Sequence, residues 1–147
     1  MIELLATLTL FAIVVSVGVP LLNILLDAYW TAKVVAPASS EGTLAMERMV
    51  RETRLANRSS LQLANGSLAF DSPEGRVQLH QTRSGDAGIY LVKNGEEQPL
   101  ARAVATNSLS FSLLTPQLLA ISFTLSTPLA DGTTVQNPLS TAVYLPP

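Results

Sequence analysis

The chain has few of the residues that carry covalent or metal chemistry. Its 147 residues include no cysteine and a single histidine, His80. Without cysteine there is no disulfide, no thiol nucleophile and no cysteine-based zinc or iron–sulfur site. Nine basic and eleven acidic residues give a net charge of −2, which lacks the basic excess of nucleic-acid-binding proteins. We therefore expect no nucleic-acid partner.

Sequence motifs for catalysis are also missing. There is no serine nucleophile elbow, no histidine-pair metal motif and no phosphate-binding glycine loop. His80 lies in a run that alternates apolar and polar residues, which favours a structural or surface histidine. Asp71, Glu74 and Asp86 lie near turns but lack the regular series of oxygen ligands of a calcium loop. We expect no catalytic residue, no metal and no cofactor, and predict that the protein is not an enzyme.

Charge is almost absent from the first thirty residues. Only Glu3 and Asp27 are charged there, and the 23 residues between them include fifteen Leu, Ile, Val or Phe. A helix needs about 20 residues to cross the core of a bilayer. Each large apolar residue favours insertion by about 0.3–0.6 kcal/mol, and together they outweigh the roughly 3 kcal/mol cost of one acid. The segment is therefore predicted to be a membrane-spanning helix.

Two other interpretations of this segment are weaker. A helix buried in a soluble core would need protein on every side, which the other 117 residues cannot easily provide. A cleaved secretory signal would use Ala36-Pro37-Ala38 as its small-residue cleavage site. The apolar stretch is longer than the usual core of such a signal, however, and no Lys or Arg precedes it. Membrane insertion is the preferred interpretation.

Three residues in this segment, Glu3, Pro20 and Asn23, go beyond what a simple anchor requires, and an aromatic pair follows it. Glu3 is an acid at the rim of the helix, where it has a function unless it lies at the level of the lipid headgroups. Pro20 removes a backbone donor and tends to kink or locally melt a helix, and Asn23 adds a polar amide. Tyr29 and Trp30 are expected at the membrane interface, where one end of each ring is wet; the alternative is that they pack on the soluble domain.

Residues 31–58 are predicted to form a linker and then an amphipathic helix. Proline, serine and glycine residues predict a break near residues 37–42. Helical spacing returns over residues 43–57, where five residues form the apolar side: Leu44, Met46, Met49, Val50 and Thr53. The i,i+4 pairs Glu47–Arg51 and Arg48–Glu52 are expected on the outer face.

Residues 59–147 have the pattern of an antiparallel β-sheet. The predicted strands are 61–64, 67–70, 77–82, 88–93, 109–114, 118–126 and 141–145. Asn65-Gly66 and Asn94-Gly95 favour tight hairpin turns, Ser84-Gly85-Asp86 is a third loop, and 126–138 is predicted to be a long loop. Helices followed by a block of strands indicate the α+β class. We expect three parts: a transmembrane helix (1–30), a linker and amphipathic helix (31–58), and a sheet domain (59–147).

Two stretches resemble a known family. The opening Ile2-Glu3-Leu4-Leu5, with Pro20 seventeen residues after the Glu, resembles the class III signal and N-terminal helix of type IV pilins and pseudopilins. Ala45-Met46-Glu47-Arg48-Met49-Val50-Arg51-Glu52-Thr53-Arg54-Leu55-Ala56 is similar to the helix end of minor pilins, particularly those of mannose-sensitive-haemagglutinin pili, and of type II secretion pseudopilins. The resemblance covers the first 57 residues. It implies a pilin-like fold, with a long helix packed on an antiparallel sheet outside the membrane.

The sequence departs from the family at its start. Family members carry a short basic leader ending in Gly, which prepilin peptidase removes before it methylates the new N-terminus. This chain begins at Met1, two positions too late to include such a site. The resemblance therefore predicts a start codon further upstream, or a truncated or unprocessed form, and prepilin peptidase is a partner only if an upstream leader exists.

The resemblance implies a minor pilin or pseudopilin. In the family, the carboxylate at the position of Glu3 pairs with the N-terminal amine of a neighbouring subunit, and the residue at Pro20 marks where the helix bends. The implied partners are other pilin or pseudopilin subunits, an inner-membrane assembly platform, and membrane lipid before assembly. The implied location is the inner membrane with a periplasmic C-terminal domain, then the filament. The alternative is a single-span membrane-anchored periplasmic binding or sensor domain in which Glu3 is incidental.

Overall fold

The computed structural model describes residues 2–64, 66–82, 88–129 and 131–146. Within these ranges it has a long helix, α1 (Ile2–Arg54), a short 3₁₀ helix (Arg58–Ser60) and eight strands. The strands are β1 (Gln62–Ala64), β2 (Ser67–Ser72), β3 (Gly75–Gln81), β4 (Ile89–Lys93), β5 (Glu96–Ala101), β6 (Ser110–Thr115), β7 (Leu118–Pro128) and β8 (Thr134–Tyr144). A long helix packed on antiparallel sheets is the predicted α+β class. Internal contacts divide the chain into two units, Met1–Val34 and Val35–Pro147.

The predicted break near residues 37–42 is wrong, because α1 continues through it. Pro37 lacks the N–H that a helix interior uses, and serine and glycine are poor helix formers. Contacts with the rest of the second unit offset these costs. Glu41 Oε1 accepts a hydrogen bond from the Arg102 N–H at 2.9 Å, and Asn137 Nδ2 donates to Ser39 Oγ at 3.3 Å. Tertiary contact therefore overrides local propensity here.

Gly42 is the closest point of this packing. A Cβ atom at this position would lie 2.6 Å from Leu125 Cδ1 and 2.9 Å from Leu139 Cδ1, closer than carbon atoms approach. The glycine that indicated a helix break thus allows the helix to lie close to Leu125 of β7 and Leu139 of β8.

The strands form two antiparallel sheets, where the sequence predicted one. The first has the order β1-β2-β3-β4-β5 and the second β6-β7-β8. In β7 the side chains alternate between buried and partly buried along most of the strand, the period expected when one face lies on a core. The buried core combines residues of the helix and both sheets, and its largest members are Met49, Leu68, Phe70, Leu79, Ile89, Leu91, Leu119, Ile121, Phe123, Leu125 and Leu145.

The predicted hairpins are confirmed where the structure describes them. β1 and β2 pair with Ala64 opposite Ser67, and β3 pairs with β4 with Leu79 opposite Leu91. Asn94 and Gly95 both have positive φ, 54° and 88°, as a type I′ turn requires. Asn65 and the loop Ser84-Gly85-Asp86 lie outside the described residues.

The loop predicted for 126–138 is wrong, and β5 was not predicted. β7 extends to Pro128 and β8 already begins at Thr134. Pro99 in β5 and Pro138 in β8 concealed these strands, because proline cannot donate to a β-ladder. Both prolines lie on edge strands, where the missing N–H can face away from the neighbouring strand.

The apolar side predicted for the amphipathic helix is partly correct. Met49 and Thr53 are buried and Met46 and Val50 pack against the core, but Leu44 is 63% exposed. Glu52, predicted on the outer face, is 6% exposed. Neither Glu47–Arg51 nor Arg48–Glu52 forms an ion pair among the described residues. The Glu52 carboxylate instead contacts Lys93 of the first sheet.

Candidate membrane-spanning and assembly segment

The first unit contains the uncharged stretch between Glu3 and Asp27. It is helical throughout, so its 23 residues rise about 35 Å at 1.5 Å per residue, enough for the roughly 30 Å hydrocarbon core of a bilayer. The helix is long and apolar enough to cross a membrane, and none of its most apolar window is buried. Its large side chains are correspondingly exposed, with Phe11 at 70% and Ile13 at 62%.

The hydroxyl groups in this stretch bond to their own helix. Thr7 Oγ1 donates to the Glu3 carbonyl at 3.0 Å, Thr9 Oγ1 to the Leu5 carbonyl at 2.9 Å, and Ser16 Oγ to the Ile13 carbonyl at 2.9 Å. Such bonds satisfy hydroxyl donors that would otherwise lie unpaired in hydrocarbon. The stretch therefore presents little unsatisfied hydrogen-bonding capacity to a lipid environment.

Glu3 lies in the first turn of α1 and is exposed. An acid in the first turn interacts favourably with the positive end of the helix dipole. No ion pair to Glu3 forms within the part of the chain that the structure describes.

Pro20 lies in the interior of the same helix, which stays helical on both sides of it. Because proline has no N–H, the carbonyl of Ser16 lacks its usual i+4 donor. Gly18 lies two residues earlier, and a Cβ atom there would meet no heavy atom within 4 Å. The helix does not melt at Pro20 in this structure, and the expectation that it bends or melts there on leaving the membrane stays a prediction.

Tyr29 and Trp30 lie side by side near the charged end of the stretch. Their ring centroids are 5.8 Å apart in an edge arrangement, and they are 61% and 55% exposed. Lys33 Nζ lies 5.1 Å from the centre of the Trp30 ring, within the range of a cation–π interaction. Aromatic rings followed by a cation, one turn beyond the last apolar residues, are typical of a membrane–water boundary.

The predicted site residues form two groups. Tyr29 and Trp30 touch, whereas Glu3 and Pro20 are separated by 17 residues, or about 25 Å along the helix. Glu3, Pro20 and the aromatic pair therefore lie at separate positions along the helix and do not surround a common cavity.

No family model, curated protein or solved structure matches this chain.

Sequence analysis missed the polar cluster that holds α1 to the first sheet. Lys93 Nζ on β4 lies 3.4 Å from Glu52 Oε2 on the helix and donates a short hydrogen bond to Glu74. That hydrogen bond and the Lys93 charge hold the pKa of Glu74 below its ordinary value of 4.5. The hydrogen bond to Glu74 likewise raises the pKa of Lys93. No local signal links these three residues, since they come from distant parts of the sequence.

His80 lies in β3 beside the last residue of the strand, Gln81, so the strand predicted here from the alternating pattern is confirmed. Its Nε2 is 3.2 Å from Glu97 Oε1 on β5, and its ring stacks on Tyr90 of β4 with centroids 5.9 Å apart. The histidine thus links three adjacent strands on one face of the first sheet.

Proposed function

We propose that this chain is a minor pilin or pseudopilin, a structural subunit that assembles through its apolar N-terminal helix into a type IV pilus-like or type II secretion filament. The observation that carries the proposal is the uncharged 23-residue stretch of α1, which begins directly after the acidic residue Glu3 and continues into a helix packed on antiparallel sheets. A membrane anchor alone needs the apolar stretch. It needs neither the acid at its tip nor an unbroken connection to the globular fold.

Glu3 has a physical role in assembly. A single buried ion costs several kcal/mol in an apolar environment, and a partner of opposite charge offsets much of that cost. In a filament core, Glu3 would be paired only when a neighbouring subunit places a cation, such as its N-terminal amine, at the right height. The pair would thus fix the axial register between subunits.

The second half of α1 has the complementary role of carrying the globular fold. It is held by the close approach at Gly42 and by polar contacts such as Glu41 to Arg102 and Glu52 to Lys93. A force or displacement along the helix is therefore passed directly to the sheets. Subunits related by a screw axis would contact each other head to tail, an arrangement that does not close.

The proposed location follows from the same helix. The apolar stretch would hold each subunit in the inner membrane as a single-pass protein with its C-terminal domain in the periplasm, surrounded by lipid until an assembly platform transfers it to the filament. Tyr29 and Trp30 would mark the membrane surface.

Glu3→Gln tests the proposal. The substitution removes the charge, keeps the shape and lowers the insertion cost of the segment, so membrane insertion should be unchanged while incorporation into sheared filaments falls by about tenfold or more. Insertion is measured by resistance to alkaline extraction and incorporation by immunoblot and electron microscopy of the sheared fraction. Asp71→Asn, at an exposed position of β2 with no ion pair among the described residues, is the matched control and should assemble normally.

Normal filament incorporation of the Glu3→Gln protein would contradict the proposal. Combined with normal insertion, that result would favour the alternative, a single-span anchored binding or sensor domain.

A further inference from the structure

An open apolar groove runs along one flank of α1 in the second unit. Its volume is about 670 Å³. Met46, Val50 and Leu139 form much of its apolar lining, and three charged residues of the helix also line it: Glu47, Arg51 and Arg54. Neither arginine forms an ion pair among the residues that the structure describes. The groove therefore combines an apolar floor with a rim of net positive charge.

The strand beside the groove is poorly protected against association. β8 is an edge strand, and edge strands are commonly defended by charged side chains. From Ala103 to Pro146 the only charged residue is Asp131, so the second sheet lacks that defence. An uncharged edge beside an uncovered apolar groove is typical of the centre of a protein interface, where charged residues are depleted.

The opposite flank of α1 carries a complementary surface. There the helix contacts the first sheet through Arg48 to Gln98 and Glu52 to Lys93, and β5 forms the open edge of that sheet. Glu97 and Pro99 lie on one face of β5 and both are exposed. The Glu97 side chain is 54% exposed although one of its oxygens contacts His80. With Glu96 beside it, this edge is acidic.

The spacing of the two surfaces matches. Alternate residues of a strand, such as Glu97 and Pro99, are about 7 Å apart. Residues one turn apart on a helix, such as Arg54 and Val50, are separated by about 6 Å along its axis. A β5 edge lying along the groove could therefore place its carboxylate on Arg54 and its proline ring on Val50 at the same time.

We propose that the groove receives the β5 edge of a second copy of this chain, with Glu97 of one copy paired to Arg54 of the next. The groove and the β5 edge lie on opposite flanks of one helix, so they cannot contact each other within a single chain. Each copy therefore offers one groove and one β5 edge to other copies. The contact is heterologous and propagates instead of closing into a dimer. The inference rests on the proposed assembly role and names the lateral contact between the globular units.

Cross-linking tests the geometry, because the chain contains no cysteine. Ser140→Cys places a thiol on the groove side at β8. Gln78→Cys places one on the exposed side of β3, in the same cross-strand row as Val92 and Glu97. Two differently tagged full-length variants, each with one of these cysteines, are expressed together and treated with a flexible bis-maleimide in membranes and in sheared filaments. The mixed product joins a Ser140→Cys chain to a Gln78→Cys chain. We expect it to be more abundant than either product that joins two copies of the same variant.

Charge reversal tests the pairing. Arg54→Glu added to the Ser140→Cys chain, or Glu97→Arg added to the Gln78→Cys chain, should each lower the yield of the mixed product by about tenfold. Like charges placed together cost more than 1.4 kcal/mol. The two reversals together should restore most of it. Arg58→Glu, an equal charge change on an exposed arginine outside the groove, is the matched control and should have no effect. If a reversal abolishes cooperative thermal unfolding, Arg54→Gln and Glu97→Gln replace it with the same expected direction.

Four results would overturn the inference: no mixed product, a dominant product between two Ser140→Cys copies, insensitivity to both reversals, or no recovery in the double reversal. A groove that instead takes up a lipid would give no mixed product. Filaments that form normally without the mixed product would remove this contact and leave the assembly role standing. A charge-dependent mixed product in a chain that never forms filaments would remove the assembly role and keep the contact.

Discussion

Single residues of the second unit show how closely the helix is fitted to the sheets. Gly42→Ala should destabilise the protein, although alanine favours helix formation by about 1 kcal/mol over glycine. The new methyl group would overlap Leu125, which is 2% exposed and packed in the core. Overpacking of this kind costs about 1–3 kcal/mol, so we expect a net loss of about 1 kcal/mol, measured as a lower thermal unfolding midpoint of the detergent-solubilised chain. Gly18→Ala, which meets no neighbour within 4 Å, is the control and should leave that midpoint unchanged. An equal or higher midpoint for the Gly42 variant would contradict this account.

The cluster of Lys93, Glu52 and Glu74 makes stability depend on pH in two directions. The pKa of Glu74 is lowered in the folded protein, so its contribution is present above the ordinary value of 4.5 and is lost as the pH falls through the folded pKa. The pKa of Lys93 is raised, so its contribution is complete below 10.5 and is lost as the pH rises through the folded pKa.

Replacing Glu74 by Gln should therefore flatten the acid side of the stability curve. The expected effect is a slightly lower denaturant midpoint at pH 7 and a smaller further decrease between about pH 5 and 3 than in the unaltered chain. Denaturant titrations across that range measure it. Glu96→Gln, which removes an exposed acid that forms no ion pair among the described residues, is the comparison. Parallel curves for Glu74→Gln and the unaltered chain would show that the Lys93 contact adds no pH-dependent stability.

At the scale of elements, the sequence predicted what short-range chemistry determines. The Asn94-Gly95 turn and the alternating strands beside it fold as predicted, because the residues that decide them are neighbours. The helix through residues 37–42 was missed because its stabilising partners, including Leu125 and Arg102, lie far away in the sequence. β5 and most of β8 were missed because Pro99 and Pro138 normally argue against a strand, and only the topology shows that both lie on open edges. Glu3 and Pro20, the proposed assembly residues, were identified by position, whereas the groove beside β8 required the fold.

The backbone pairing of β8 predicts an alternating pattern of amide exchange. Thr124 directs its C=O to Ala105 and its N–H to Ser108, away from β8, so its partner Pro138 points towards the open edge. Residues at odd numbers in β8 should then donate to β7 and those at even numbers should face outward. We expect slow hydrogen exchange at Asn137, Leu139, Thr141 and Val143, and fast exchange at Gln136, Ser140 and Ala142 in the isolated subunit, measured by NMR. Uniform exchange along the strand would contradict this register. When a second copy buries the groove as proposed, hydrogen exchange at Gln136, Ser140 and Ala142 should become slow as well.

At the scale of the whole molecule, the two units differ in the exposure of their apolar side chains. Every buried hydrophobic residue among those described lies at Ala45 or beyond, so the second unit has a core to which residues 2–34 contribute no buried side chain. A variant that begins at residue 35 should fold with an unfolding midpoint within a few degrees of the full chain, because no core area is removed. It should also move from the membrane to the soluble fraction, since it lacks the apolar stretch that makes insertion favourable. Circular dichroism and ultracentrifugation measure these two outcomes on the same preparation. A truncated protein that unfolds without cooperativity would show that the second unit needs the apolar stretch to fold. A truncated protein that stays in the membrane would show that another surface binds lipid, and the open groove would be the first candidate.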